Sequence, residues 1–225
     1  DFRVESNGNP NMLFVDGGND RVGIGTNAPT DTLNVQAAAA GTAITLVESS
    51  DSEPNPAAFI GYRSRGTDLS GHTAIQADNT MTQFSAGAHD GNAFAVGSKI
   101  ISTSSQTWTT NAHGTRLAIF TTPDGTTTPV ERMRLTSAGD LLVGGTSTDP
   151  IANNTNSTQI AADGYININR ASNTSFYIGR SGSDGQAILF YKGTANVGSI
   201  SLTGSNTAYN TSSDYRLKTD AQPMT

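Results

Sequence analysis

The side chains of this sequence best suited to bind a metal or move a proton are three histidines, His72, His89 and His113, and a scatter of carboxylates. No histidine has a second one two to four residues away, the spacing that would give one strand or helical turn two ligands. In a three-chain assembly a single axial histidine would supply three ligands; otherwise the three read as polar surface or hydrogen-bonded core groups. The carboxylates Asp51, Glu53, Asp68, Asp78, Asp90, Asp124, Glu131, Asp140, Asp163 and Asp184 mostly stand beside Gly, Ser, Thr or Asn, where turn formation accounts for them. Cleavage of a polysaccharide would need two of them about 5 to 9 Å apart across a sugar, and sequence alone cannot place such a pair. Gly23-Ile24-Gly25 has the first two glycines of a dinucleotide fingerprint, but position 28 is Ala, position 29 is Pro, and no helix pattern follows. Those glycines fit close backbone packing or a turn at a strand end. No cofactor and no metal is expected.

The residues suited to binding are aromatic and basic. Tyr62, Arg63, Arg65, Trp108 and Arg116 lie in a middle stretch richer in aromatics and charge than its flanks. Aromatic faces stack on sugar rings, and arginine hydrogen-bonds hydroxyls and acidic groups. The plainer reading of any one of them is a small core with its arginine stems laid over it. Trp108 sits among Ser and Thr, which favours exposure.

These residues must be positioned by strands. Helix patterns are almost absent; the longest, Ala37 to Ala40, is closed at once by Gly41. Short β phrases alternate with Gly, Asn, Asp and Ser turns. Tyr165-Ile166-Asn167-Ile168-Asn169 and Ser199-Ile200-Ser201-Leu202-Thr203 put their apolar residues on one face and polar ones on the other. Asp90-Gly91 and Asp124-Gly125 are hairpin dipeptides, and the second joins strands over 118–122 and 130–135. On the latter, Met133 and Leu135 are expected to share a face with Glu131, opposite Arg132 and Arg134. Thr42 to Val47 alternates in the same way.

Leu, Ile, Val and Phe together make just under a fifth of the 225 residues, yet only 14% are charged. That is too few apolar residues for a large monomeric core and too little charge for typical disorder. Copies sharing a narrow core along a common axis would supply the missing burial. A net charge of -6, with 13 Lys+Arg, argues against nucleic-acid binding, and no apolar run is long enough to insert in a membrane as a helix. With no cysteine, disulfides and thiolate metal sites are excluded. The chain opens on Asp1 and stops in mid-phrase, so a segment of a longer polypeptide is expected.

Two phrases look like diverged copies: Asp20 to Thr26 followed by Asn27-Ala28-Pro29, and Asp140 to Thr146 followed by Ser147 to Pro150. They bracket the aromatic stretch. The expected plan is a shaft segment over 1–50, a globular insert over 51–140, a second shaft segment over 141–212 and a distinct terminal piece over 213–225.

The terminal piece carries a resemblance. Asn206 to Lys218, and above all Ser213-Asp214-Tyr215-Arg216-Leu217-Lys218, resembles the entry to the self-cleaving intramolecular chaperone of bacteriophage tailspikes and tail fibres, the endosialidase type. Val-Gly-Ile-Gly-Thr at 22–26 and Val197-Gly198-Ser199-Ile200 resemble shaft segments of such fibres. The stretches 63–67, 121–125 and 131–134 are similar to a knob module recurring in them. The resemblance implies an all-β, elongated, intertwined homotrimer, with shafts of the β-prism or triple-β-helix kind and a small sandwich-like knob. It implies a virion component that binds other tail proteins and a bacterial surface polysaccharide or lipopolysaccharide. It also gives Ser213 the role of self-cleavage nucleophile and Lys218 that of its base, a serine hydroxyl being inert until a proton is removed. After Lys218 the sequence departs from the family's pattern at Thr219-Asp220-Ala221 and returns to it at Gln222-Pro223-Met224. A capsule or lipopolysaccharide depolymerase and a cellular adhesin stalk are the rival readings.

Overall fold

The computed structural model describes residues 1–37, 42, 44–46, 58–66 and 71–211. Within them the chain is all-β, with strands in three sheets and no helix. Ser213 and Lys218 lie outside the described residues, as does part of the 42–47 phrase; the part described forms no strand. The chain divides into two units, Asp1–Ile60 and Gly61–Thr225.

In the first unit, β1 (Phe2–Ser6), β2 (Asn9–Asp16), β3 (Arg21–Ile24) and β4 (Leu33–Val35) form one sheet in sequence order. The first three run antiparallel and β4 is parallel to β3. Pairing aligns Phe2, Val15, Val22 and Leu33 across all four strands. Val4–Leu13 and Ile24–Val35 follow two residues further along on the same face. Every side chain in those two rows is apolar, with Asn9 and Asn11 of β2 beyond them on the same face. The opposite face is crossed by the β3–β4 connection, which buries Thr26 and Pro29 and is pinned by Arg21 Nη1 donating to the Pro29 carbonyl at 2.8 Å. That approach needs glycine at position 23, because a Cβ there would run into the Thr26 backbone carbonyl. Gly25 then turns the chain at φ 79°, so the two glycines serve packing and a turn. Gly23→Ala is expected to cost about 1–3 kcal/mol, read as a lowered midpoint in urea unfolding.

In the second unit, seven strands form an antiparallel meander in chain order: β5 (Thr80–His89), β6 (Phe94–Ser104), β7 (Thr115–Thr121), β8 (Val130–Leu135), β9 (Leu141–Val143), β10 (Ser157–Ile160) and β11 (Ile166–Asn169). The expected boundary after residue 140 falls between β8 and β9, which are neighbours in this sheet. Gly91 and Gly125, at φ 100° and 75°, make the β5–β6 and β7–β8 turns where Asp-Gly predicted them. A separate three-stranded sheet comprises β12 (Gly185–Lys192), β13 (Ala195–Leu202) and β14 (Thr207–Thr211).

One expectation for β8 is overturned. Ile119 pairs with Met133 but Phe120 pairs with Glu131, so Arg132 is an extra, bulged residue. The bulge moves Glu131 onto the face of Arg134, not that of Met133. The two then form a bidentate ion pair, with Nε–Oε1 at 2.7 Å and Nη2–Oε2 at 2.8 Å.

The seven-stranded sheet has two contrasting faces. On one, the register aligns Gln83, Ile101, Ala118, Arg134, Leu142, Gln159 and Asn167. This face holds the core: Ile101, Ala118 and Leu142 are buried, and Leu142 has 0% of its surface exposed. The Gln76–Asn79 turn is tied to the end of β6 by the fully buried Ser104. Its hydroxyl donates to the Gln76 carbonyl at 2.5 Å and accepts from the Asn79 amide at 3.1 Å.

Candidate functional site

The other face of the same sheet is apolar and open. One cross-strand row reads Phe84, Ile100, Ile119, Met133, Val143, Thr158, Ile168. The row beside it reads Thr82, Ser102, Leu117, Leu135, Leu141, Ile160, Ile166. Eleven of those fourteen positions are apolar, yet none is buried, with Phe84 62% and Ile166 64% exposed. Burying one Ile, Leu or Met side chain is worth about 1.5–3 kcal/mol. Two rows left open therefore forgo many kcal/mol, and contiguous apolar patches of this kind mark interaction surfaces.

The other two sheets repeat the pattern. The two apolar rows of the first unit's sheet are half-buried to exposed, with none of their residues buried. In the three-stranded sheet, Ile188, Ile200 and Tyr209 align on one face beside Phe190. The reverse face carries a polar knot in which Asn210 Nδ2 donates to Ser199 Oγ at 3.1 Å and Ser201 Oγ at 2.8 Å. In each sheet one face carries an apolar row running from strand to strand that the described residues leave uncovered.

A second surface is a cleft of about 480 Å³ built by the loops before β5 and after β6. Arg63, Ser64, Thr73, Ile75, Trp108, Thr109, Thr110 and His113 line it. Trp108 is held at three points. Its backbone amide donates to the carbonyl of Ile75, a residue only 3% exposed, at 3.0 Å. Its Nε1 donates to the Gly114 carbonyl at 3.2 Å, and its ring lies 4.7 Å from that of His113, tilted by 47°. Trp108 is thus half-buried, not the free side chain its Ser/Thr neighbours suggested. Arg63 Nη1 donates to the Thr80 carbonyl.

Of the five residues singled out for binding, the structure brings Arg63 and Trp108 together in this cleft. Tyr62, 92% exposed, and Arg65, whose backbone bridges Thr73, stand outside its lining. Arg116 is elsewhere, paired with Asp78 at 2.7 Å. Thr109 and Thr110, and His113, read from the sequence only as an axial metal ligand or a polar surface or core group, line the cleft without having been singled out for binding. No repeat or spacing ties them to Arg63, and only their nearness to Trp108 in sequence hints at them.

Several of the described carboxylates, among them Asp16, Asp78, Asp90, Glu131 and Asp140, are engaged in turns and ion pairs. Asp90 accepts from the amides of Asn92 at 2.8 Å and Ala93 at 2.7 Å, and those bonds, Ala93 first, hold its carboxyl below the usual carboxylate range. Asp16 is lowered mainly by the Asn19 side chain that donates to it at 2.8 Å. A carboxyl with a depressed folded pKa contributes stability above its unfolded value, and that contribution is lost as pH falls through the folded one. Both turns are therefore expected to loosen below about pH 4. The check is amide exchange at Asn92 and Ala93, which should speed up on acidification beyond the intrinsic chemical trend.

No protein-family model matches the chain, and no curated protein matches it by sequence. Among solved structures it is similar to the carboxy-terminal domain of the bacteriophage T5 L-shaped tail fibre with its intramolecular chaperone domain, at 16% identity and a TM-score of 0.44. That alignment covers 71% of this chain and 39% of the other, so the chain spans about two fifths of that protein's length. A second structure of the same T5 carboxy-terminal domain aligns at 13% identity and a TM-score of 0.40, covering 74% of this chain and 78% of that one. Likeness of this extent assigns the chain neither family nor role.

Proposed function

We propose that this chain is a structural and host-recognition segment of a bacteriophage tail fibre or tailspike. Three copies close their apolar sheet faces on a common axis and present a glycan-binding surface outward. The observation that carries this reading is the open apolar face repeated in every sheet. The described residues of a single chain leave those faces in water, and symmetric association is the simplest way to cover them. The number three, the place in the virion tail and the neighbouring tail proteins come from the resemblance of the segment around Ser213 to the chaperone entry of phage fibres. In this reading residues 1–50 and 141–212 serve the shaft, 51–140 the knob, and 213–225 begin the chaperone.

Carriage and presentation fit better than depolymerisation, because Asp78, Asp90, Glu131 and Asp140, four of the acids a cleaving pair would be drawn from, already have structural partners. The test is adsorption of the chain to purified bacterial surface polysaccharides with their viscosity followed over time. Saturable adsorption at constant viscosity is expected. A steady fall in viscosity would instead make the protein an enzyme. For the junction, Ser213→Ala in the longer precursor is expected to leave one uncut band on a denaturing gel, and normal cleavage would remove Ser213 from that role.

A further inference from the structure

We infer that the Arg63–Trp108–His113 cleft takes an anionic sugar residue, one bearing a carboxylate or phosphate, rather than a neutral one. This rests on the reading that the chain presents a glycan surface, and it names the chemistry that surface selects. In a chain of net charge -6, Arg63 is the one permanently charged residue in the described lining, which contains no carboxylate. A guanidinium only donates hydrogen bonds. It therefore matches a group that only accepts, and a hydrogen-bonded ion pair of this kind, unlike a bond to a neutral hydroxyl, adds the attraction of two opposite charges. One of its five donors is used by the Thr80 carbonyl, which anchors the head beside the cleft. Trp108, fixed against Ile75 and Gly114, gives a ready-made stacking face, and the hydroxyls of Thr73 and Thr109 can both donate to and accept from ring hydroxyls. A volume of about 480 Å³ suits a short saccharide.

Trp108 is the only tryptophan, so intrinsic fluorescence reports on this cleft directly. The probes are a galacturonate trisaccharide, the same trisaccharide with its carboxylates reduced to alcohols, and a phosphorylated trisaccharide. At least one acidic probe is expected to change the emission saturably, with the reduced sugar without effect; which acidic probe responds tells carboxylate from phosphate selection. Arg63→Ala should weaken that binding at least about tenfold, while Arg132→Gln, on β8 and outside the cleft, leaves it unchanged. An equal response to the reduced sugar, silence with both acidic probes, or an Arg63→Ala chain that binds as before would overturn the inference. If the chain still adsorbs to surface polysaccharide in those cases, the glycan-presenting role survives and only this cleft's part in it is lost. If it adsorbs to none, the role falls as well.

Discussion

Ile119→Asp is expected to abolish assembly: the chain should run in light scattering at its single-chain mass of 23.3 kDa, or aggregate, and lose its cooperative thermal transition. Ile119 is the third residue of the seven-strand row, between Ile100 and Met133. In a threefold assembly one substitution places three carboxylates on the closed face. A carboxylate taken from water without a partner costs several kcal/mol even after relaxation, and the apolar contact of three isoleucines is lost as well. Local strand structure does not require that isoleucine, so an effect confined to the monomer would be small. Asn92→Asp, at the exposed β5–β6 turn, adds the same charge and should leave the mass unaltered.

The second large effect lies on the opposite face. Leu142 is the largest side chain with no exposure at all, aligned between Arg134 and Gln159 in the middle of the sheet. Leu142→Ala is expected to destabilise by about 2–5 kcal/mol, the range for an aliphatic side chain cut back in a site that cannot collapse around it. Denaturant unfolding should show a lowered midpoint with little change in slope. Mass should be preserved under native conditions, because Leu142 faces away from the open apolar rows. The two substitutions thus separate the chain's own core from the core it would share.

Much of this was legible in the residues because strands alternate. The faces of β11 and β13 follow directly from Ile-Asn-Ile-Asn and Ile-Ser-Leu, and the Asp-Gly turns fall where their positive φ requires them. The place where alternation misled is Glu131. A one-residue bulge leaves no trace in a hydrophobic pattern, yet it reverses the face of every residue beyond it. Only the pairing register of β7 with β8 reveals it. The cleft was half legible for a related reason. Arg63 and Trp108 are chemically conspicuous, but they sit on irregular loops 45 positions apart in sequence, where no periodicity brings them together. The buried Ser104 and Ile75 that position the Trp108 loop look like any other residues of a Ser/Thr-rich chain. Nor does sequence show that Val-Gly-Ile-Gly leads into a parallel β4, whereas the related phrase at 140–146 leads into an antiparallel β10.

The central claim is that several copies bury together what one copy leaves wet. Sedimentation equilibrium of the purified 225-residue chain in native buffer measures this directly. Three chains, about three times 23.3 kDa, with no dissociation on dilution to nanomolar concentration, is the predicted result. Two chains would keep the shared faces but refute threefold closure. A stable 23.3 kDa species that unfolds cooperatively by itself would contradict the account altogether.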